Sequence, residues 1–204
     1  MGGLYKLDIR TNKGTRYLKH THNLPSNNVE SILPYQGKLL VATDNGIIFF
    51  DPTTEKCERF FKNDEMYEKT RYSKGLVLDS RGILWIIRNN NGVCSYNPAT
   101  NKLSTYKVSH AIEHSLSSNS VNSIYEDSQH RLWFCTNENG LDLYHAETDN
   151  FENLDASHNG LSSNIVYNIC ELDSNRLLVT TDKGLSILNY KEKTFKNYNQ
   201  LPLS

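Results

Sequence analysis

Five side chains in this sequence have the types to hold a polar ligand: Arg88, Asn90, Asn91, Glu138 and Asn139. A guanidinium, three amides and a carboxylate together suit a charged or hydroxyl-rich sugar. They fall in or beside two turns that end in glycine, Asn89-Asn90-Asn91-Gly92 and Asn137-Glu138-Asn139-Gly140. They come near one another only if the segments carrying those turns stack side by side. The plainer reading of Arg88 is an ion pair with a neighbouring carboxylate.

Catalytic chemistry finds no support. No Gly-x-Ser-x-Gly, phosphate-cradling loop or His-Glu-x-x-His occurs. Glu126 and Asp127 are adjacent, so on a strand they point to opposite faces and cannot act as an acid/base pair. Of the seven histidines, His20 and His22 alternate along a strand-like stretch, and His110 and His114 flank a loop; all read as surface groups. Asn89–Gly92 lacks the acidic spacing of a calcium loop and reads as a hairpin turn. Cys57, Cys94, Cys135 and Cys170 contain no close pair of the kind zinc sites use. Three of them lie in apolar, strand-like runs, so small buried free thiols are expected, with an inter-strand disulfide as the other reading. No metal and no cofactor is expected.

The composition sets outer bounds. Of 204 residues, 37% are hydrophobic and 22% charged, a globular balance. Lys+Arg number 22 against Asp+Glu 23, so the basic excess of a nucleic-acid binder is missing. No apolar run approaches the ~18 residues that cross a bilayer. Met1–Lys6 has no apolar stretch of a signal peptide.

The elements that must position the five side chains come from an internal repeat. Leu24-Pro25-Ser26-Asn27-Asn28-Val29, Leu116-Ser117-Ser118-Asn119-Ser120-Val121 and Leu161-Ser162-Ser163-Asn164-Ile165-Val166 read almost alike. Downstream of each comes an apolar strand, a polar turn ending in glycine, and a second apolar strand. The glycines Gly46, Gly92, Gly140 and Gly184 are spaced 46, 48 and 44 residues apart. Gly3-Leu4-Tyr5 repeats the last part of this pattern. Each unit holds four runs of about five residues, the ordinary strand length. In the third they are Val121–Glu126, Leu132–Thr136, Gly140–Tyr144 and about Asn150–Leu154. Helical spacing is not sustained anywhere, so the chain is expected to be all-β.

Four antiparallel strands recurring about every 45 residues is the period of a propeller blade. The expected architecture is a β-propeller fragment: four full four-stranded blades plus the two outer strands of a preceding blade. The blades fall at about 1–22, 23–70, 71–114, 115–158 and 159–200. One blade cannot bury its own faces and must stack on its neighbours. Trp85 and Trp133 share one strand position, as Leu40 and Leu178 do in the other blades, and fit a packing position between blades. Strand direction puts the Leu-Ser-Ser-Asn loops and the glycine turns on one face and the Asp127–Arg131 type turns on the other.

Leu116–Val121, Asp79-Ser80-Arg81-Gly82-Ile83-Leu84-Trp85 and Thr181-Asp182-Lys183-Gly184-Leu185 together resemble the two-component regulator propeller repeat. The resemblance covers nearly the whole chain. It departs at the second unit, where the charged and irregular Lys62–Lys74 replaces the Leu-Ser-Ser-Asn motif and Arg88 stands where other units have Thr43, Thr136 and Thr181. The resemblance implies a periplasmic sensor region of a hybrid two-component system. Such regions respond to oligosaccharides from polysaccharide breakdown, and a histidine kinase lies elsewhere on the same polypeptide. A family ring of about seven blades at about 45 residues each exceeds this length. The chain therefore reads as an arc of a larger protein, with Leu201-Pro202-Leu203-Ser204 opening a further repeat. Open blade edges invite self-association. The other function classes are a non-catalytic scaffold for protein–protein contacts and, further off, a propeller lyase or hydrolase. No nucleic-acid or membrane contact is expected of this segment.

Overall fold

The computed structural model describes residues 2–198, so the expected repeat opening at 201–204 lies outside the described residues. The elements in chain order are β1 (Leu4–Asp8), β2 (Lys13–Tyr17), α1 (Lys19–His22), β3 (Val29–Tyr35), β4 (Lys38–Thr43), β5 (Gly46–Phe50), β6 (Cys57–Arg59), α2 (Asp64–Lys69), β7 (Ser73–Leu78), β8 (Leu84–Arg88), β9 (Val93–Asn97), β10 (Lys102–Tyr106), β11 (Val121–Glu126), β12 (Leu132–Thr136), β13 (Leu141–His145), β14 (Asn150–Leu154), β15 (Val166–Asp173), β16 (Arg176–Thr181), β17 (Gly184–Asn189) and β18 (Thr194–Tyr198). Strands β1 and β2 pair alone, and the remaining sixteen form four sheets of four consecutive strands. The fold is all-β and blade-like, as the repeat predicts.

The hairpin between the first two strands of a sheet is set by one aspartate. Asp127 Oδ1 accepts from the backbone N–H groups of Gln129 and Arg131 at 2.9 and 3.0 Å. Its Oδ2 accepts from Trp133 Nε1 at 2.8 Å and Arg131 Nε at 2.6 Å. Asp79 repeats the set with Arg81, Ile83 and Trp85. An Asx turn thus closes the hairpin while the same carboxylate satisfies a buried indole. The first strands β3, β11 and β15 also share a register slip just after their first paired residue, a bulge that sharpens local twist.

The chain divides into two compact units between Leu76 and Val77, inside β7. In the first, β1–β2 packs on the β3–β6 sheet through Leu4, Tyr17, Leu24, Val41, Ile48 and Phe50. In the second, Trp85 meets Phe134 and Tyr144 of the following sheet at centroid distances of 5.1 and 5.0 Å. Trp133 meets Tyr190 one sheet further on at 5.7 Å. Both tryptophans are core residues between sheets.

Polar contacts set the stacking register. Gly3, Gly92 and Gly140 donate their N–H to the carbonyls of Asn27, Asn119 and Asn164 at 2.6, 2.8 and 2.9 Å. The same asparagines use Oδ1 to accept from the N–H of Lys19, Val108 and Ala156. The last residue of each Leu-Ser-Ser-Asn motif is therefore a clamp on the preceding sheet. At the opposite ends, Ser80 donates through N and Oγ to Glu126, and Ser128 does the same to Glu171.

Three expectations need correction. His20 and His22 lie in a four-residue helix, α1, ended by Asn23 in the left-handed region, not in a strand. Lys62–Lys74 is not irregular throughout, because it contains α2, N-capped by Asn63 on the Met66 N–H. The cysteines are free, but only Cys94 and Cys135 are buried; Cys170 is exposed.

Candidate functional site

The loop Leu116–Asn119 brings the two predicted turns together. Gly92 donates to Asn119, which seats the first turn on this loop. Ser118 Oγ donates to Glu138 at 3.4 Å, and Asn139 Nδ2 donates to the Ser117 carbonyl at 2.6 Å, which seats the second. Asn90, held at φ 48°, is exposed and Asn91 is half-buried, and their side chains have no hydrogen-bond partner among the described residues. Glu138 is also exposed. Asn139 is committed to structure, since its carbonyl accepts from Asn153 and its N–H donates to Thr136.

Arg88 is the exception in its register position. Thr43, Thr136 and Thr181 each donate to the carbonyl of their turn glycine at 2.8, 2.8 and 3.2 Å. Arg88 makes no such bond and, against the plainer expectation, no ion pair among the described residues. Its Nε is buried without a partner. The ion-pair reading depended on a carboxylate arriving from a neighbouring strand, and none does.

Beside this loop lies a group that the sequence reading missed. Asp142 stands on β13, where the other sheets have Ser186, Cys94 and Ile48, and is fully buried. It accepts from the Ser117 N–H at 2.9 Å and from Asn153 Nδ2 at 2.8 Å. Burial pushes its carboxyl up from 3.8 to about 6, against the pull of those donors. The folded chain therefore holds a proton that the unfolded chain releases near pH 4. This contribution to stability is complete below about pH 4 and is lost as pH rises through about 6. Relative to Asp142→Ser, which copies Ser186, the wild type is expected to lose on the order of 2–3 kcal/mol between pH 4 and 7. Thermal melts of both proteins across that range check it, and a constant difference refutes it.

The first unit holds a second feature absent from the sequence reading, a cavity of about 400 Å³ lined by Lys19, Ser26, Asp44, Asn45, Arg71 and Tyr72. The signal available was the loss of the repeat at Lys62–Lys74, which placed Arg71 and Tyr72 where other units carry the motif. Among the described residues no group of three metal-ligating side chains converges, and no helix is long and apolar enough to cross a membrane.

Comparison with known proteins agrees with this architecture. Residues 115–138 match the two component regulator propeller model. No curated protein matches the chain. Among solved structures, the extracellular domain assigned to hybrid two component system BT3049 of B. thetaiotaomicron is 25% identical with a TM-score of 0.76, covering 90% of this chain and 26% of that one. The corresponding domain of BT4673 from the same organism is 25% identical with a TM-score of 0.70, covering 91% and 24%. PorZ, a surface component of the type-IX secretion system of Porphyromonas gingivalis, is 16% identical with a TM-score of 0.66, covering 92% and 29%, and shares the fold. The chain spans about a quarter of the length of the first two. Residues 115–138 carry the two-component regulator propeller repeat, and the chain shares the fold of a part of the extracellular domains of hybrid two-component systems.

Proposed function

We propose that this chain is a segment of a periplasmic sensor region of a hybrid two-component system. It helps to recognise oligosaccharides derived from polysaccharides, and the signal passes to a histidine kinase on the same polypeptide. The observation that carries the reading is the likeness over 90% of the chain, at 25% identity, to an extracellular domain of such a system. The side chains on the turn face support it: Arg88, Asn90, Asn91 and Glu138 flank one loop, and Asn90 and Glu138 are exposed. The test is thermal stability with a panel of neutral and acidic oligosaccharides. A ligand that prefers the native state raises Tm, and one at 100 times its Kd contributes about 2.7 kcal/mol. No shift with any saccharide counts against a sensing role for these blades.

Self-association belongs to the same reading. Tyr167 and Leu172 on β15 are 51% and 47% exposed, with Cys170 exposed between them. Such apolar groups along one first strand mark a face that another β-surface covers. Light scattering in reducing buffer is expected to give a mass above that of one chain. A mass of one chain at all accessible concentrations refutes it.

A further inference from the structure

We infer that the cavity between the β4–β5 turn and the end of α2 is a binding site for a neutral saccharide, with Asp44, Arg71 and Tyr72 as its recognition set. The inference rests on reading the chain as a saccharide sensor and adds a second site, separate from the turn face around Arg88.

The site exists because the repeat is interrupted. At other junctions a Leu-Ser-Ser-Asn asparagine sits against the glycine turn of the preceding sheet. Here Tyr67 of α2 takes that place, donating its hydroxyl to the Asn45 carbonyl at 2.6 Å, with its ring under the Arg59 guanidinium at 3.8 Å. Thr70, fully buried, closes the helix by donating to Met66 and Tyr67. The chain then turns, and the Tyr72 N–H donates to the Asp44 carbonyl at 3.1 Å. Two residues that are 28 apart in sequence are thereby held side by side.

Three observations point to a ligand. First, Asp44 Oδ1 and Arg71 Nε are both buried without a hydrogen-bond partner, although Arg71 Nη1 donates to Glu68 at 3.1 Å. Both residues line the cavity. Buried polar atoms are nearly always satisfied, so two orphans in one wall call for an external partner. Second, Tyr72 is 58% exposed and sits at φ 58°. That backbone region is uncommon for a bulky residue, and such strain gathers at ligand clamps. Third, the site is an open, mainly polar depression of about 400 Å³, which gives room for a small ligand resting on the surface.

The chemistry of the wall selects the ligand class. An ionised Asp44 only accepts hydrogen bonds, and Arg71 only donates them. A hydroxyl does both, so adjacent hydroxyls on one sugar satisfy the two residues together. The exposed ring of Tyr72, with the Arg71 guanidinium over it at 5.4 Å, offers an apolar, electron-rich surface for the C–H face of a sugar ring. Lys19 and Arg71 are balanced by Asp44 and by Glu68, which pairs with Arg71, so the wall offers no net charge to an anionic ligand. A divalent cation lacks ligands, since no cluster of three acidic, histidine or cysteine side chains forms among the described residues.

The test is isothermal titration calorimetry of the full chain with neutral trisaccharides of glucose, xylose, mannose, arabinose and fructose, and with trigalacturonate. The proteins are wild type, Asp44→Asn, Tyr72→Gly and Arg88→Ala. Glycine tolerates the backbone of position 72, so Tyr72→Gly removes the ring without strain and keeps the fold, which melts confirm. A neutral trisaccharide is expected to bind the wild type and to bind Asp44→Asn and Tyr72→Gly at least ~10-fold more weakly. Neutral binding that both cavity variants leave intact overturns this site while the sensing role stands. Binding of trigalacturonate alone, abolished by Arg88→Ala, also overturns it in favour of the turn face. Absence of binding by every saccharide overturns the site and the sensing role together.

Discussion

Asp127→Ala is expected to destabilise the chain by about 3–5 kcal/mol, the cost of stripping a buried charge pair of one partner. The carboxylate of Asp127 is fully buried and its partner Arg131 is only 15% exposed. Four donors lose their acceptor at once: two backbone N–H groups, Arg131 Nε and the indole of Trp133. Each buried donor left unsatisfied costs about 1–3 kcal/mol. The terms overlap, so the pair figure is the better guide. Asp173→Ala is the matched control. Asp173 holds its own hairpin through the Asn175 and Arg176 N–H groups but is 42% exposed and bonds no indole. Its exposed pair with Arg176 is worth about 0–1 kcal/mol. Urea unfolding followed by tryptophan fluorescence reads both, because the only two tryptophans are the ones Asp79 and Asp127 hold. Equal losses from the two substitutions refute the account, since the hairpin alone would then carry the energy and the buried indole tie none.

The second large effect is at Gly140. This residue sits at φ 83°, and a Cβ there comes within 2.4 Å of the Leu154 carbonyl oxygen, a backbone atom that cannot swing aside. Its N–H also clamps the next sheet through Asn164. Gly140→Ala therefore combines left-handed strain of about 1–2 kcal/mol with a forced shift of β14 away from β13. A total loss of about 3 kcal/mol or more is expected, in the upper part of the range for single substitutions. Gly82→Ala separates the two causes. Gly82 has nearly the same φ, 78°, but nothing within 4 Å of an added Cβ, so only the strain of about 1–2 kcal/mol applies. Unfolding midpoints of the two variants within error of each other refute the steric part.

These two residues also mark how much of the fold was legible. The aspartate before Leu-Trp and the glycine after the Asn turn both stood out as repeated letters. What each does could not be read from the letters, because the indole, the Leu154 carbonyl and the Asn164 carbonyl arrive from other strands. The strands of the third sheet match the sequence reading to within one residue, since alternation and turn chemistry are local signals. Helix α1 was misread as strand-like because four residues are too few for a 3.6-residue period to show. The expected ion pair of Arg88 fails for the opposite reason, as local sequence says nothing about which charges a neighbouring sheet brings near.

By itself the sequence determined the repeat, its four-strand content, the all-β class, the resemblance to sensor propellers and the turn face where Arg88, Asn90, Asn91 and Glu138 lie. Those follow from period, turn residues and apolar alternation, all encoded within about 45 residues. Only the tertiary structure decided that Asn139 is structural, that Asp142 is buried beside the Ser117 loop, and that Asp44 meets Arg71 and Tyr72 at one cavity. Burial and unmet hydrogen bonds are properties of surroundings, and the surroundings come from segments distant in the chain.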